Sequence, residues 1–443
     1  MSELRAGAAK SVITPTIGRW QHSDVNDELY AKALVLENGE VSLALVVCDV
    51  GSIARRDAET AREIAAQITG IPADHIMIAA THTHYGPWGG DESEEGRTYW
   101  DWAAPRIADA VMLAKRRLQP AKIAHGSGAV PGEVYNRRYR MKDGSVVFNP
   151  LNVRYFKDDG SFTQLYQRSD IVGPAGPTDP EVGVLIVMDE DGKPIAIWAN
   201  YALHYVDSPD YDRISANYFG EFERALQRME GREFLGVMMN GTCGDVNNVD
   251  YMGDPEPEHP YGRWNLERVS TLVAAEVCKV WRSIRRSHYQ DKPTLAVATE
   301  RIIAKHRAIT PAEVEQAKSF LKEEHPSGFG TKEWLEDVKC HTILDVAKKG
   351  PEREMLIQAF RIGDLAAVAL PGEVFVEIGL EIKRRSPFAR TLVGELANDS
   401  VGYIPTDKAF GEGSYETIQS PVAVGTASEM VESAVKLLKR LAP

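Results

Sequence analysis

The stretch Thr81-His82-Thr83-His84-Tyr85-Gly86-Pro87-Trp88 sets two imidazoles two positions apart at the end of an apolar run. In an extended segment alternate side chains point the same way, so His82 and His84 face one space, about 6–7 Å apart at the backbone. Such a pair suits one metal ligand beside a second imidazole that handles a proton or the substrate. Two histidines that cap a strand and hydrogen-bond to loops fit the spacing equally well. His204, in "WANYALHYVD", follows an aromatic-rich run and by itself reads as a satisfied structural histidine. Glu373, after Pro371-Gly372, reads alone as an acid in the first turn of an amphipathic helix, where the helix dipole favours it. Arg137, Arg138 and Arg140 form a basic run that grips a carboxylate or an oxyanion, or lies solvated on a loop. Cys243, in "NGTCGDVNN", has no catalytic histidine paired with it in sequence and reads as a buried, inert thiol. Tyr403 and Tyr415 lie in a glycine-rich segment, 402–416, that reads as an ordered loop.

Positioning these groups falls to runs rich in β-branched residues at 42–49, 75–80, 181–189, 194–200, 234–240 and 365–370. Several are apolar throughout, as strands covered on both faces are. Helical patterns lie between them at 54–68, 217–229, 265–284 and 428–441, and Thr310-Pro311-Ala312-Glu313 has the form of a capping box. Strands alternating with helices predict an α/β fold: mixed, mostly parallel sheets with flanking helices, in one large catalytic domain spanning 1–443. In such sheets reactive groups sit beyond the carboxyl ends of strands. Here four strand ends carry the polar candidates: Thr81–His84, His204, 240–248 and Pro371–Glu373.

The chain has 443 residues, 43% of them apolar, and a formal charge of −13. That charge repels phosphate backbones and no basic stripe overrides it, which excludes nucleic acid as a partner. With no apolar run of about 18 residues and no secretory leader in "MSELRAGAAKSVITP", a cytoplasmic protein without stable membrane association is expected. Cys48, Cys243, Cys278 and Cys340 form no CxxC pair, so a metal here binds through nitrogen and oxygen. Asp49 ends a strand in the same layer and is a candidate for a second metal. A homo-oligomer is compatible with the sequence.

Segments 7–15 ("GAAKSVITP"), 27–36 ("DELYAKALVL"), 80–90 ("ATHTHYGPWGG"), 136–144 ("NRRYRMKDG"), 200–204 ("NYALH"), 240–248, 370–373 ("LPGE") and 395–406 ("ELANDSVGYIPT"), in this order, resemble the neutral ceramidases and their bacterial relatives. These are zinc-dependent hydrolases of N-acyl amide bonds. The resemblance implies a zinc site on His82, His204, Glu373 and Tyr403, two imidazoles and two oxygens of the kind Zn²⁺ accepts. It places His84 and Arg137 beside the attacking water and the substrate carbonyl, and makes Tyr415 the second loop tyrosine. In the implied chemistry a metal-activated water attacks the carbonyl, His84 passes the proton to the leaving amine, and Arg137 or Tyr415 steadies the oxyanion.

The chain departs from that pattern in three ways. It is expected to lack an export signal and the additional C-terminal β-sandwich, and it has Gly244-Asp245-Val246-Asn247-Asn248 where the family has a Gly-Asp-Val-Ser-Pro type segment. The expectation is a soluble bacterial relative that hydrolyses a linear amide of a small soluble substrate, ceramide being in question. A zinc esterase or lactonase, or a metal-dependent ligand-binding protein without turnover, are the alternatives.

Overall fold

The computed structural model describes residues 3–156, 162–206, 213–253, 263–323 and 328–442. The larger of its two main sheets contains β1 (Arg5–Val12), β2 (Tyr30–Glu37), β3 (Ser42–Cys48), β4 (Ile76–Ala80), β5 (Gln119–Ala129), β6 (Glu181–Asp189), β7 (Pro194–Tyr201) and β8 (Leu235–Asn240). Their order is β8-β7-β6-β5-β1-β2-β3-β4. The smaller runs β9 (Leu295–Lys305), β10 (Glu352–Ile362), β11 (Leu365–Ala369), β12 (Arg390–Gly394).

Side-chain alternation builds the layers. Along β2 and β3, Ala33, Val35, Ala44 and Val46 turn outward onto helices α1 (Arg55–Thr69) and α2 (Glu94–Arg116). Their neighbours Leu34, Leu36, Leu43 and Leu45 turn inward and share one core with Phe360, Leu365, Ala367 and Leu392 of the smaller sheet. Helices α3 (Asn217–Glu230) and α4 (Arg263–Ser283) cover β6 and β7 through Phe222, Leu226, Val273 and Val277. Beyond α5 (Pro311–Phe320) and α6 (Lys332–Ala347), helices α7 (Val376–Arg385) and α8 (Thr426–Leu441) cover the outer face of the smaller sheet. The result is a helix–sheet–sheet–helix stack in which each interior Leu or Phe contributes roughly 2 kcal/mol of burial.

Mixed sheets with flanking helices agree with the α/β expectation, but the expected predominance of parallel pairing does not hold. In these two sheets only β3/β4, β7/β8 and β11/β12 run parallel; the remaining neighbours are antiparallel. The apolar runs that suggested parallel strands are apolar because the strands are covered on both sides, by helices and by the second sheet. That coverage carries no information about strand direction. The capping box forms as expected, with Thr310 Oγ1 accepting from the Glu313 amide and Glu313 reaching back to the Thr310 amide.

The two edge strands of the large sheet come together at their carboxyl ends. The Asn240 side chain, ending β8, donates to the Thr81 carbonyl just after β4 at 3.3 Å. The segment that leaves β12 stitches both edges, through bridges from Ala397 to Ala79 and from Gly394 to Gly241. Three strand ends from two sheets therefore meet in one place. Among the described residues no helix is long and apolar enough to cross a membrane.

Candidate metal centre

The chain turns sharply after β4. His82 adopts a left-handed conformation, φ 70°, which costs a non-glycine residue on the order of 1–3 kcal/mol. Its amide bonds the Val50 carbonyl at 3.0 Å, and its Nδ1 lies 2.6 Å from the Gly51 carbonyl, holding the turn. The segment is thus bent, not extended as its spacing suggested. The bend aims both imidazoles at a third, His204, so that one ring nitrogen from each of His82, His84 and His204 lies within 4.8 Å of the others. His84 Nε2 is 2.9 Å from His204 Nε2. His82 and His204 are buried, and His84 is the most exposed of the three. Asp207 and Asp210, the acids after His204, lie outside the described residues.

Glu373 reaches this cluster from a different element than its local sequence indicates. It sits on a two-residue strand, Glu373–Val374, paired in parallel with Tyr403–Ile404, and α7 begins only at Val376. Asp245 caps that helix, its Oδ1 accepting from the Val376 amide at 2.9 Å. Glu373 Oε2 lies 3.4 Å from His82 Nε2. A cation with bonds of about 2.1 Å in tetrahedral array holds its ligand atoms about 3.4 Å apart. Glu373 Oε2 is otherwise a buried acceptor without a hydrogen-bond partner. Three imidazoles, a carboxylate with an orphaned oxygen and a nearby phenol form a nitrogen and oxygen donor set that fits zinc.

Electrostatics keep two of the three imidazoles neutral and tie the third to Glu373. Burial, helped by the charge of His82, lowers the His84 pKa to about 3. Burial, with His82 and Arg137 adding to it, drives His204 well below the ordinary 6.5. Both are neutral near pH 7. Burial also disfavours charge on His82 and Glu373, but their mutual attraction outweighs it, raising the histidine and lowering the acid. With His82 Nδ1 bonded to a carbonyl, Nε2 is the nitrogen turned toward Glu373 and the centre, and a cation bound there would take the place of its proton.

Arg137, placed by its sequence on a candidate loop, is buried to 2% exposure. It donates to Glu416 at 2.8 Å, His204 Nδ1 at 3.1 Å, the Gly244 carbonyl at 2.8 Å and the Tyr403 hydroxyl at 3.0 Å. Only one of its five N–H groups remains. Arg138 is buried beside it, 3.5 Å from Glu416, whereas Arg140 pairs with Glu412 at the surface. Tyr403 and Tyr415 lie with ring centroids 5.9 Å apart. Burial pushes Tyr415 up to about 12 and Tyr403 further, so both keep their protons near pH 7 in the absence of a cation.

The seven residues named from the sequence thus form one connected group, and the structure adds three that sequence reasoning passed over. Trp88 packs its ring 5.3 Å from His82 and 5.5 Å from His84. Glu416 anchors Arg137. Glu395 accepts from the Val374 and Cys243 amides at 2.7 and 3.2 Å and from the Cys243 thiol at 3.0 Å. Trp88 stood in the opening motif; the two acids had no local signal. Asp49, a candidate for a second metal, instead faces the buried ammonium of Lys32 at 3.3 Å, which fills the place of a cation. The buried thiol of Cys243 is pushed up by burial and by the Glu395 charge, in keeping with an inert cysteine.

Two outcomes follow from this packing. A Cβ at Gly244 would meet the Glu373 carbonyl oxygen at 2.6 Å. Gly244→Ala is therefore expected to displace Glu373 and to weaken the affinity of the candidate centre for a divalent metal by about 10- to 100-fold, as loss of a supporting contact does, measured by chelator competition; unchanged affinity would contradict this. Glu395 is raised by burial from the ordinary 4.5 to about 8. A raised acid adds stability below its unfolded value and loses it as pH rises through the folded one, so the group withdraws stability between pH 4.5 and about 8. In metal-stripped protein the urea midpoint of wild type should fall over that window more than that of Glu395→Gln; parallel profiles would refute the assignment.

Fold and cluster together define an α/β protein whose stacked mixed sheets present a histidine-rich donor set at their strand ends. No family model matches the chain. It is 22% identical, over 481 aligned positions, to neutral ceramidase of Pseudomonas aeruginosa, with 93% of this chain and 67% of that protein covered. The crystal structure of neutral ceramidase from Pseudomonas aeruginosa matches all of this chain (100%) and 76% of its own, with a TM-score of 0.71 at 18% identity. A ceramidase complexed with C2 gives a TM-score of 0.70 at 16% identity with the same coverage. The chain is similar in sequence to neutral ceramidase and shares its fold, as the ordered motifs implied.

Proposed function

We propose that this protein is a zinc-dependent hydrolase of a linear N-acyl amide. The observation that carries the reading is the convergence of His82, His204 and Glu373, from three strand ends, around a carboxylate oxygen that has no hydrogen-bond partner. The similarity to neutral ceramidase supports amide hydrolysis as the reaction class. His82, His204 and Glu373 hold the ion, with Tyr403 as the fourth donor. When bound, zinc supplies Lewis acidity toward a carbonyl and makes water acidic enough to attack near neutral pH.

The remaining residues divide the work. His84, neutral and facing the same space through Nε2, takes the proton of the attacking water and delivers it to the nitrogen of the leaving amine. Tyr415, protonated, donates to the carbonyl oxygen as negative charge gathers there. Arg137 is a positioning residue: its hydrogen bonds are spent on His204, Tyr403, Gly244 and Glu416, and it fixes the orientation of two proposed ligands.

The test is a panel of N-acyl amides and matched esters, with wild type and His84→Ala and with zinc content measured in both. His84→Ala is expected to keep its zinc and lose about 10²–10⁴ of kcat, the range of proton-transfer catalysis. Loss of zinc with His84 would place that imidazole in the coordination set instead. Failure of zinc-loaded wild type on every member would overturn the hydrolase reading in favour of ligand binding.

A further inference from the structure

An apolar cavity of about 280 Å³ adjoins the proposed centre through one shared residue, Tyr415. Its wall includes Val147, Phe148, Trp334, Leu335, Tyr415 and Ile418, all of them large apolar or aromatic side chains left only half-buried. Tyr415 stacks on Phe148, centroids 4.6 Å apart and planes at 25°, and on Trp334 at 5.4 Å and 16°. Phe329, 65% exposed, continues the aromatic row from Trp334 at 4.8 Å. The other edge of Tyr415 faces Tyr403, and the Arg137 guanidinium lies over Phe148 at 5.1 Å. Tyr403 and Arg137 of the centre thus lie directly behind two residues of the cavity wall, Tyr415 and Phe148. Among the described residues Lys332 is the one charged side chain on its lining.

We propose that this cavity is a substrate subsite for a compact, ring-sized apolar group carried next to the scissile bond. The inference rests on the hydrolase reading for its substrate but not for its binding chemistry. Size and shape decide the class of ligand. A cavity of about 150 Å³ takes a benzene ring, so about 280 Å³ takes one ring with a short linker and excludes a pair of long chains. Flat, stacked walls favour a planar partner, and half-exposed aromatic side chains gain most when an apolar group covers them.

Binding and turnover are measured separately on the zinc-loaded chain. Calorimetric titration compares acetamide, phenylacetamide and dodecanamide against wild type, Trp334→Ala and the cavity-filling Val147→Trp. Phenylacetamide is expected to bind wild type at least about tenfold more tightly than either of the others, and that preference to collapse in both variants. Equal affinity for acetamide, tighter binding of the long chain, or a preference that survives both substitutions would overturn the subsite. Turnover of N-phenylacetylglycine against N-acetylglycine benzylamide then shows whether the ring belongs to the acyl or the amine side. Ring-selective binding with no turnover leaves the subsite standing and removes the hydrolase reading. Turnover without ring preference does the reverse.

Discussion

His204→Ala is expected to lose, together, the zinc and the activity proposed for this centre. The imidazole supplies one of two nitrogen donors in the proposed set, and its neighbour in the cluster, His84, is committed to the proton in that proposal. Removing a partner that only orients a ligand already costs about 10- to 100-fold in metal affinity. Removing a ligand itself is expected to exceed that range, leaving less than a tenth of the zinc after dialysis against a chelator. Turnover of an N-acyl amide should fall by about 10³ or more, because the Lewis acid and the attacking water are lost at once. The cavity left by one buried imidazole costs only about 1–3 kcal/mol of stability, so the variant stays folded and the loss is chemical. Metal content by mass spectrometry, beside kcat/KM, checks this; a variant that holds a full equivalent of zinc contradicts it.

The second large effect is on stability. Arg137 and Glu416 are buried together, at 2% and 0% exposure, 2.8 Å apart. Removing one partner of such a pair strands a charge in the interior and costs about 3–5 kcal/mol. Arg137→Ala is therefore expected to lower the urea midpoint severely or to prevent accumulation of folded protein. Arg137→Lys does not restore it, because one ammonium cannot reproduce a planar fork that serves Glu416, His204, Tyr403 and Gly244 at once. The double variant Arg137→Met, Glu416→Leu removes both charges and should be more stable than either single variant while remaining poorly active. That split separates the two roles of the arginine. A single Arg137→Ala variant with an unchanged midpoint would show that the pair contributes nothing to the fold.

Much of this architecture is visible in local sequence because it depends on local signals. Strands at Ser42–Cys48, Ile76–Ala80 and Leu235–Asn240 appear as short apolar runs, helix α5 begins at its capping box, and strand ends carry the polar groups. Strand direction is not visible, since an apolar run records only that both faces are covered. The spacing of His82 and His84 carries no mark of the left-handed turn at His82; treated as extended, it separates two rings that the bend brings onto one centre. Glu373 looks like a helix-capping acid because its partner strand, Tyr403–Ile404, lies thirty residues away, and a parallel bridge of that span leaves no periodicity. Glu395 and Glu416 escape for the same reason: a buried carboxylate is recognised by the donors around it, and those come from distant segments. For Glu373 and Tyr403 it was the likeness to neutral ceramidase, not residue spacing, that pointed to a common site.

Zinc-edge anomalous diffraction from crystals of the protein, purified without added metal, decides whether these side chains hold an ion. One anomalous peak is expected about 2.0–2.2 Å from one ring nitrogen each of His82 and His204 and from a carboxylate oxygen of Glu373. A fully ordered site with no peak there, or an ion bound elsewhere while these three side chains hydrogen-bond only to one another, would contradict it.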